Sequence, residues 1–221
     1  NTQGKIFERT IFNDKYPNTN PITGQTLTPM PFTNRFVGFE NNPAIAAGTS
    51  LPTLNLDRVF VLTTSSTCSA SEAIINGLRG ADVEIIQIGA GTCGKPYGFY
   101  ATDNCDVTYF TIQFTGENNK GFGEYADGFA PQNTLNTERL PVRVAGCSVA
   151  DDFTRQLGDP NEALLATALN YRETGNCPAP TSTASLQGFA PSQQSDTPYV
   201  IDTRAITFAE QNKVLPKAEN E

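Results

Sequence analysis

The stretch from Asp57 to Gly89 constrains the fold more than any other part of the chain. "DRVFVLTT" (57–64) is a continuous apolar run of strand type. After it, Ala70, Ala73, Ile74, Gly77 and Leu78 fall at i, i+3, i+4, i+7 and i+8. That spacing is one face of a helix, and Gly80 can end it. "VEIIQIG" (83–89) is a second buried strand. Strand, helix and strand joined by short turns form a βαβ unit, whose strands pair in parallel. The chain therefore reads as α/β.

The flanks carry weaker signals. Residues 1–56 are rich in Asn, Thr, Pro and Gly and form a long irregular excursion, with short extended pieces such as "GKIFERTIF" (4–12). Such an excursion is expected to serve as a lid. "DVTYFTIQF" (106–114) alternates and predicts a third strand, and "NNKGFGEYADGFAP" (118–131) reads as a glycine-rich loop. "DPNEALLATALNYRETG" (159–175) predicts a helix with an Asp159/Glu162 capping box, Pro160 in the first turn and Gly175 at the end. Beyond Cys177 lies a Pro/Ser/Thr/Gln-rich linker, then "YVIDTRAITFAEQNKVLP", which can form edge strands. The expected division is 1–56 excursion, 57–177 core, and 178–221 linker and extension.

Composition excludes several chemistries. The chain has no histidine, so neither a Ser-His-Asp triad nor His-ligated zinc can be built within it. Any base must be Lys, Asp, Glu, Tyr or a terminal amine. A net charge of −8 with scattered basic residues argues against a nucleic-acid partner. No run approaches the ~20 apolar residues of a membrane span. The five cysteines, at 68, 93, 105, 147 and 177, include no C-x-x-C, and their wide spacing suits two disulfides and one free thiol. Four cysteines allow three pairings; Cys93–Cys105 and Cys147–Cys177, each across a locally returning segment, are expected. Such disulfides, if formed, imply an oxidising compartment; five reduced buried thiols are the alternative. No metal or cofactor is expected.

"GAGTCGK" (89–95) matches two phosphate-binding patterns, G-x-G-x-x-G and G-x-x-x-x-G-K. Both need a helix to start there, but "PYGFYATDN" follows, so no nucleotide is expected. Lys95 nevertheless stands out. It closes an apolar strand among small residues, where lost hydration would favour the neutral amine and let it act as a base. Ser69 and Glu72 in "SASE" (69–72) make a capping box, which alone would account for them. A cap and a nucleophile are compatible, however. A hydroxyl at a strand-to-helix turn stands at the carboxyl end of a parallel sheet, where ligands bind. The Ala70 amide and the helix dipole there supply oxyanion stabilisation. Strand, Ser69, helix, strand, Lys95 is thus a candidate Ser/Lys dyad.

"SASE" (69–72), "TCGK" (92–95), "YADGFAP" (125–131) and "LGDPNEALLATAL" (157–169) together resemble the carboxyl-terminal processing, or tail-specific, serine peptidases, over about residues 57–175. The resemblance implies a crotonase/ClpP-like core, Ser69 as nucleophile, Lys95 as general base and the Ala70 amide as an oxyanion donor. It implies a protein or peptide substrate, unfolded or C-terminal, and a periplasmic or extracellular location with an anchor upstream. Two departures stand out. The glutamine that follows the family's lysine by four residues is Phe99 here, leaving Thr92, Tyr97 and Glu72 as candidates for support. The family's glycine-paired strand, which supplies a second oxyanion amide, has no counterpart in 1–68. With Asn1 in place of an initiating methionine, this makes an upstream part of the same enzyme an expected partner, without which the chain would be nearly inactive. A non-catalytic relative that binds a peptide or apolar ligand is the alternative.

Overall fold

The computed structural model describes residues 2–37, 46–135 and 139–179. The linker and edge strands expected from residue 180 onward lie outside the described residues.

The βαβ unit forms as the sequence predicts. β1 (Ile6–Ile11) and β2 (Met30–Pro31) precede it, and it comprises β3 (Arg58–Thr63), α1 (Ala70–Gly80) and β4 (Glu84–Gly89). β3 and β4 pair in parallel from Arg58↔Glu84 to Thr63↔Gly89. Then come β5 (Tyr97–Gly98), β6 (Thr102–Asn104), β7 (Val107–Tyr109), β8 (Phe114–Glu117), β9 (Phe129–Pro131), β10 (Val142–Cys147) and α2 (Ala163–Thr174). The parallel sheet runs β3-β4-β10-β9, a second sheet runs β2-β1-β8-β5, and β6-β7 is a separate hairpin. The fold is mixed α/β.

Alternation along β3 and β4 sorts their side chains between two cores. Val59, Val61 and Ile85 face Ile75, Tyr125, Phe129 and Val144. Phe60, Ile86 and Ile88 face Cys147, Leu164, Ala168 and Tyr171. Burial on both faces explains why these strands read as unbroken apolar runs. Gln87 is fully buried and its Nε2 donates to Thr63 Oγ1, Ala90 O and Phe129 O, joining three segments at the carboxyl end of the sheet. α1 also packs on β1. A Cβ at Gly77 would come within 2.7 Å of the Phe7 ring, so only glycine allows this approach.

Several expectations are corrected. The predicted strand over 106–114 is two short strands in different sheets: β7 pairs with β6 in an exposed hairpin, and β8 pairs with β1. The loop predicted over 118–131 ends in β9, and β10, which the sequence reading passed over, lies between β4 and β9. Glu162, rather than Asp159, caps α2. Its carboxylate accepts from Leu164 N and Leu165 N (both 2.9 Å), while Asp159 holds a preceding turn by accepting from Asn161 N. The reason is geometric. Helical residues begin only at Ala163, so Asp159 lies a full turn too early to reach the free amides.

Cys147 pairs with Cys177, as expected. Cys93 pairs with Cys68 rather than Cys105, which is exposed at the tip of the β6–β7 hairpin. Two disulfides fit a protein of a periplasmic or extracellular compartment. Among the described residues no helix is long and apolar enough to cross a membrane.

The cap assignment is checked by a pair of variants. Glu162→Ala should cost about 1 kcal/mol, as loss of a side-chain cap does. Asp159→Ala should cost less. Denaturant midpoints of the two proteins give the comparison.

Candidate active site

Because β3 and β4 are parallel neighbours, the turns that follow them lie side by side. Ala90 N–H donates to Thr63 O and Cys93 N–H to Thr67 O, each at 3.0 Å. The Cys68–Cys93 disulfide closes the same gap, with Cα atoms 5.3 Å apart. One turn delivers Ser69 and the other Lys95.

Ser69 is the N-cap of α1, with φ 54° and ψ −111°. A left-handed φ is costly for a residue with a Cβ and persists only where the surroundings enforce it. Glu72 is that enforcement. Its carboxylate is fully buried and accepts four hydrogen bonds: from Ser69 N (2.9 Å), Thr92 Oγ1 (2.5 Å), Gly94 N (2.7 Å) and Lys95 N (2.8 Å). The capping interaction read from "SASE" therefore extends across to the second turn. Thr92 passes the link on, its hydroxyl oxygen accepting from Phe129 N at 2.8 Å. Gly94 has φ 81°, and a Cβ there would meet the Ala126 carbonyl oxygen at 2.1 Å.

Ser69, Ala70 and Lys95 line one pocket of about 460 Å³, with Phe7, Glu8, Ala73, Ile74, Pro96, Tyr97, Phe114 and Tyr125 among its walls. Ala70 opens α1, and its amide has no carbonyl partner within the helix. Tyr97 contributes from β5 and is half exposed. Thr92 and Glu72 lie behind the pocket, holding its backbone. Phe99 stacks edge-on against Phe110, ring centroids 5.4 Å apart, outside the pocket. No helix follows Gly94; the chain passes into β5, so the phosphate cradle suggested by the glycine pattern does not form. The burial expected for Lys95 is corrected: the side chain is exposed. Small neighbours in sequence gave no cover: the flanking Thr92 and Pro96 are buried, while the Lys95 side chain itself is left exposed.

Glu8 and Tyr125 were not singled out from the sequence. Glu8 lies on β1, and burial in this largely apolar pocket raises its carboxyl above the ordinary range. Tyr125 is pushed up to about 12, first by burial and then by the charges of Glu8 and Glu72. A lone acid in the alternating "GKIFERTIF" is the only sequence signal for Glu8, and it does not reveal which face meets α1.

No protein-family model and no curated protein matches the chain. In fold, it is similar to a crystal structure from Bacteroides fragilis NCTC 9343, determined at 2.00 Å and provisionally described as an S41 protease. The TM-score is 0.52 at 22% identity, over 79% of this chain and 38% of that one. The chain thus spans well under half the length of the protein it matches, and the likeness is one of fold.

Two predictions follow from this geometry. Glu72→Ala strands one hydroxyl and three amides and should cost roughly 3 kcal/mol or more in denaturant unfolding; Glu72→Gln should cost less. Glu8 holds its proton more tightly folded than unfolded, so its ionisation lowers stability as pH rises through the carboxylate range. Glu8→Gln should therefore melt above the parent protein at about pH 7, with the gap closing by about pH 3.

Proposed function

We propose that the chain carries the nucleophile and base of a serine peptidase with a crotonase/ClpP-like core. The observation that carries this reading is that Ser69 and Lys95 line one pocket, on turns joined by the Glu72 carboxylate and a disulfide. The S41-like fold supports it, as does the motif resemblance over 57–175.

In this mechanism Ser69 Oγ attacks the peptide carbonyl carbon while its proton passes to Lys95 Nζ, the general base of this reading. The carbonyl oxygen becomes an oxyanion and accepts from the Ala70 amide, with the positive end of the α1 dipole behind it. The intermediate collapses, the C–N bond breaks, and Lys95 gives its proton to the leaving amine. Water then attacks the ester, Lys95 takes the water's proton, and the proton returns to Ser69 as the acid leaves. A peptide lying over the pocket supplies the exclusion of water that exposed Lys95 lacks in the free protein.

Thr92, Tyr97 and Glu72 stand in this reading for the family's orienting glutamine, with Glu72 and Thr92 acting through the backbone. Of the 1–56 excursion, β1 is built into the second sheet, and the lid reading is kept for the segment between β1 and β2. Asn20 anchors it beside β5 by donating to Tyr100 Oη at 2.8 Å. The substrate is an unfolded or C-terminal protein segment, met in an oxidising compartment.

Tyr97, Phe99, Tyr109, Phe110 and Ile112 are all exposed, which favours a second reading, binding of a peptide or apolar ligand without cleavage. Casein or peptide cleavage by the full-length protein separates the two. Ser69→Ala and Lys95→Ala should each lower kcat/KM by roughly 10³ or more while the protein stays folded. Absence of cleavage by the wild type, with retained peptide binding, would leave the second reading standing.

A further inference from the structure

We propose that Glu8 makes the pocket beside Ser69 a subsite for a basic side chain, so that peptides are cleaved next to lysine or arginine. This rests on the peptidase reading and adds the substrate class to it.

The argument begins with what surrounds the carboxylate. Phe7, Ala73, Ile74, Phe114 and Tyr125 give the pocket apolar walls, while Glu8 puts a single carboxylate among them. Lysine and arginine have matching anatomy, a hydrocarbon stem that packs on apolar surface and a cationic head that needs an acceptor. At about 460 Å³ the pocket has room for either.

Glu8 is also held firmly. β1 is paired on both sides, through Glu8↔Met30 with β2 and through Arg9↔Glu117 and Thr10↔Gly116 with β8. The carboxyl lies over Gly116, where a Cβ would come within 2.7 Å of Cδ and Oε2. The absence of a side chain at that position is what makes space for the acid.

Finally, the chain's own cations are not spent on it. Among the described residues Glu8 has no ion pair or hydrogen bond to its carboxylate. Lys5, three residues before Glu8, donates to Asp82 Oδ2 and Ala81 O, and Lys120 also pairs with Asp82. Lys95 shares the pocket, yet its Nζ lies beyond ion-pair distance of Glu8. Burial without a partner disfavours the carboxylate in the free protein. A residue that lowers stability where it stands, beside a candidate nucleophile, is accounted for by a ligand that brings the missing charge.

The test uses twin unstructured peptides that differ only in lysine or norleucine beside the scissile bond, with cleavage positions read by mass spectrometry. The full-length protein, as in the cleavage test above, should favour the lysine twin in kcat/KM by about 10-fold or more, the scale of a charge-assisted hydrogen bond. Glu8→Gln should bring that ratio close to one, and Glu8→Lys should reverse it toward a glutamate twin. Circular dichroism and melting curves show that each variant is folded. Cleavage with no preference for the lysine twin, or a preference that survives Glu8→Gln, overturns the proposal. If the wild type cleaves neither twin, the peptidase reading falls, and calorimetric binding of the twins to Ser69→Ala protein decides the subsite alone. Tighter binding of the lysine twin that disappears when Glu8→Gln is added supports the subsite; equal binding overturns it.

Discussion

The interaction on which the candidate site depends is a buried carboxylate shared between two turns. Glu72 stands in the first turn of α1, where the helix dipole favours negative charge and free amides need acceptors. One of its oxygens serves Ser69 N and Lys95 N, and the other serves Thr92 Oγ1 and Gly94 N. A side chain one methylene shorter would cap the helix without spanning to the neighbouring turn. Full burial strengthens each of these bonds and raises the penalty for breaking any of them. The left-handed backbone of Ser69 is therefore tied to the same atoms that hold the backbone of Lys95.

The layers around this link each have a distinct part. The parallel pairing of β3 with β4 aligns the two turns, and apolar cores on both faces of that sheet keep it rigid. The second sheet supplies much of the pocket wall. β1 brings Phe7 and Glu8, β8 brings Phe114, and β5 brings Tyr97. α1 joins the two sheets, burying Ile75 toward the first and passing closely over Phe7 at Gly77. The turns bearing Ser69 and Lys95 thus follow one sheet, and much of the pocket wall comes from the other.

Much of the βαβ unit was legible because burial on both faces leaves strong, unbroken apolar runs. The rest was hidden for identifiable reasons. Alternation in "DVTYFTIQF" has the same period whether the residues form one strand or two strands in different sheets. β10 carries the alternating Val142, Arg143 and Val144, but Pro141 and the shortness of β9 keep that signal weak. The pairing of Cys93 with Cys105 followed closeness along the chain. The argument that brought Ser69 to Lys95 applies equally to Cys68 and Cys93, since parallel neighbours place their following turns together. Lys95 was expected in cover because its neighbours are small, yet size in sequence says nothing of which way a turn faces. Glu8 was invisible because its role arises only when α1 and β8 close around β1.

The Cys68–Cys93 bond has a consequence for the life history of the chain. It spans from the residue before Ser69 to the one two before Lys95, so the constellation receives its covalent tie only where thiols are oxidised. In a reducing environment the same two turns would be held by hydrogen bonds alone, those of Glu72 and the backbone pairs Ala90 N–Thr63 O and Cys93 N–Thr67 O. How firmly the two turns are joined thus depends on the redox state of the surroundings, through ordinary sulfur chemistry.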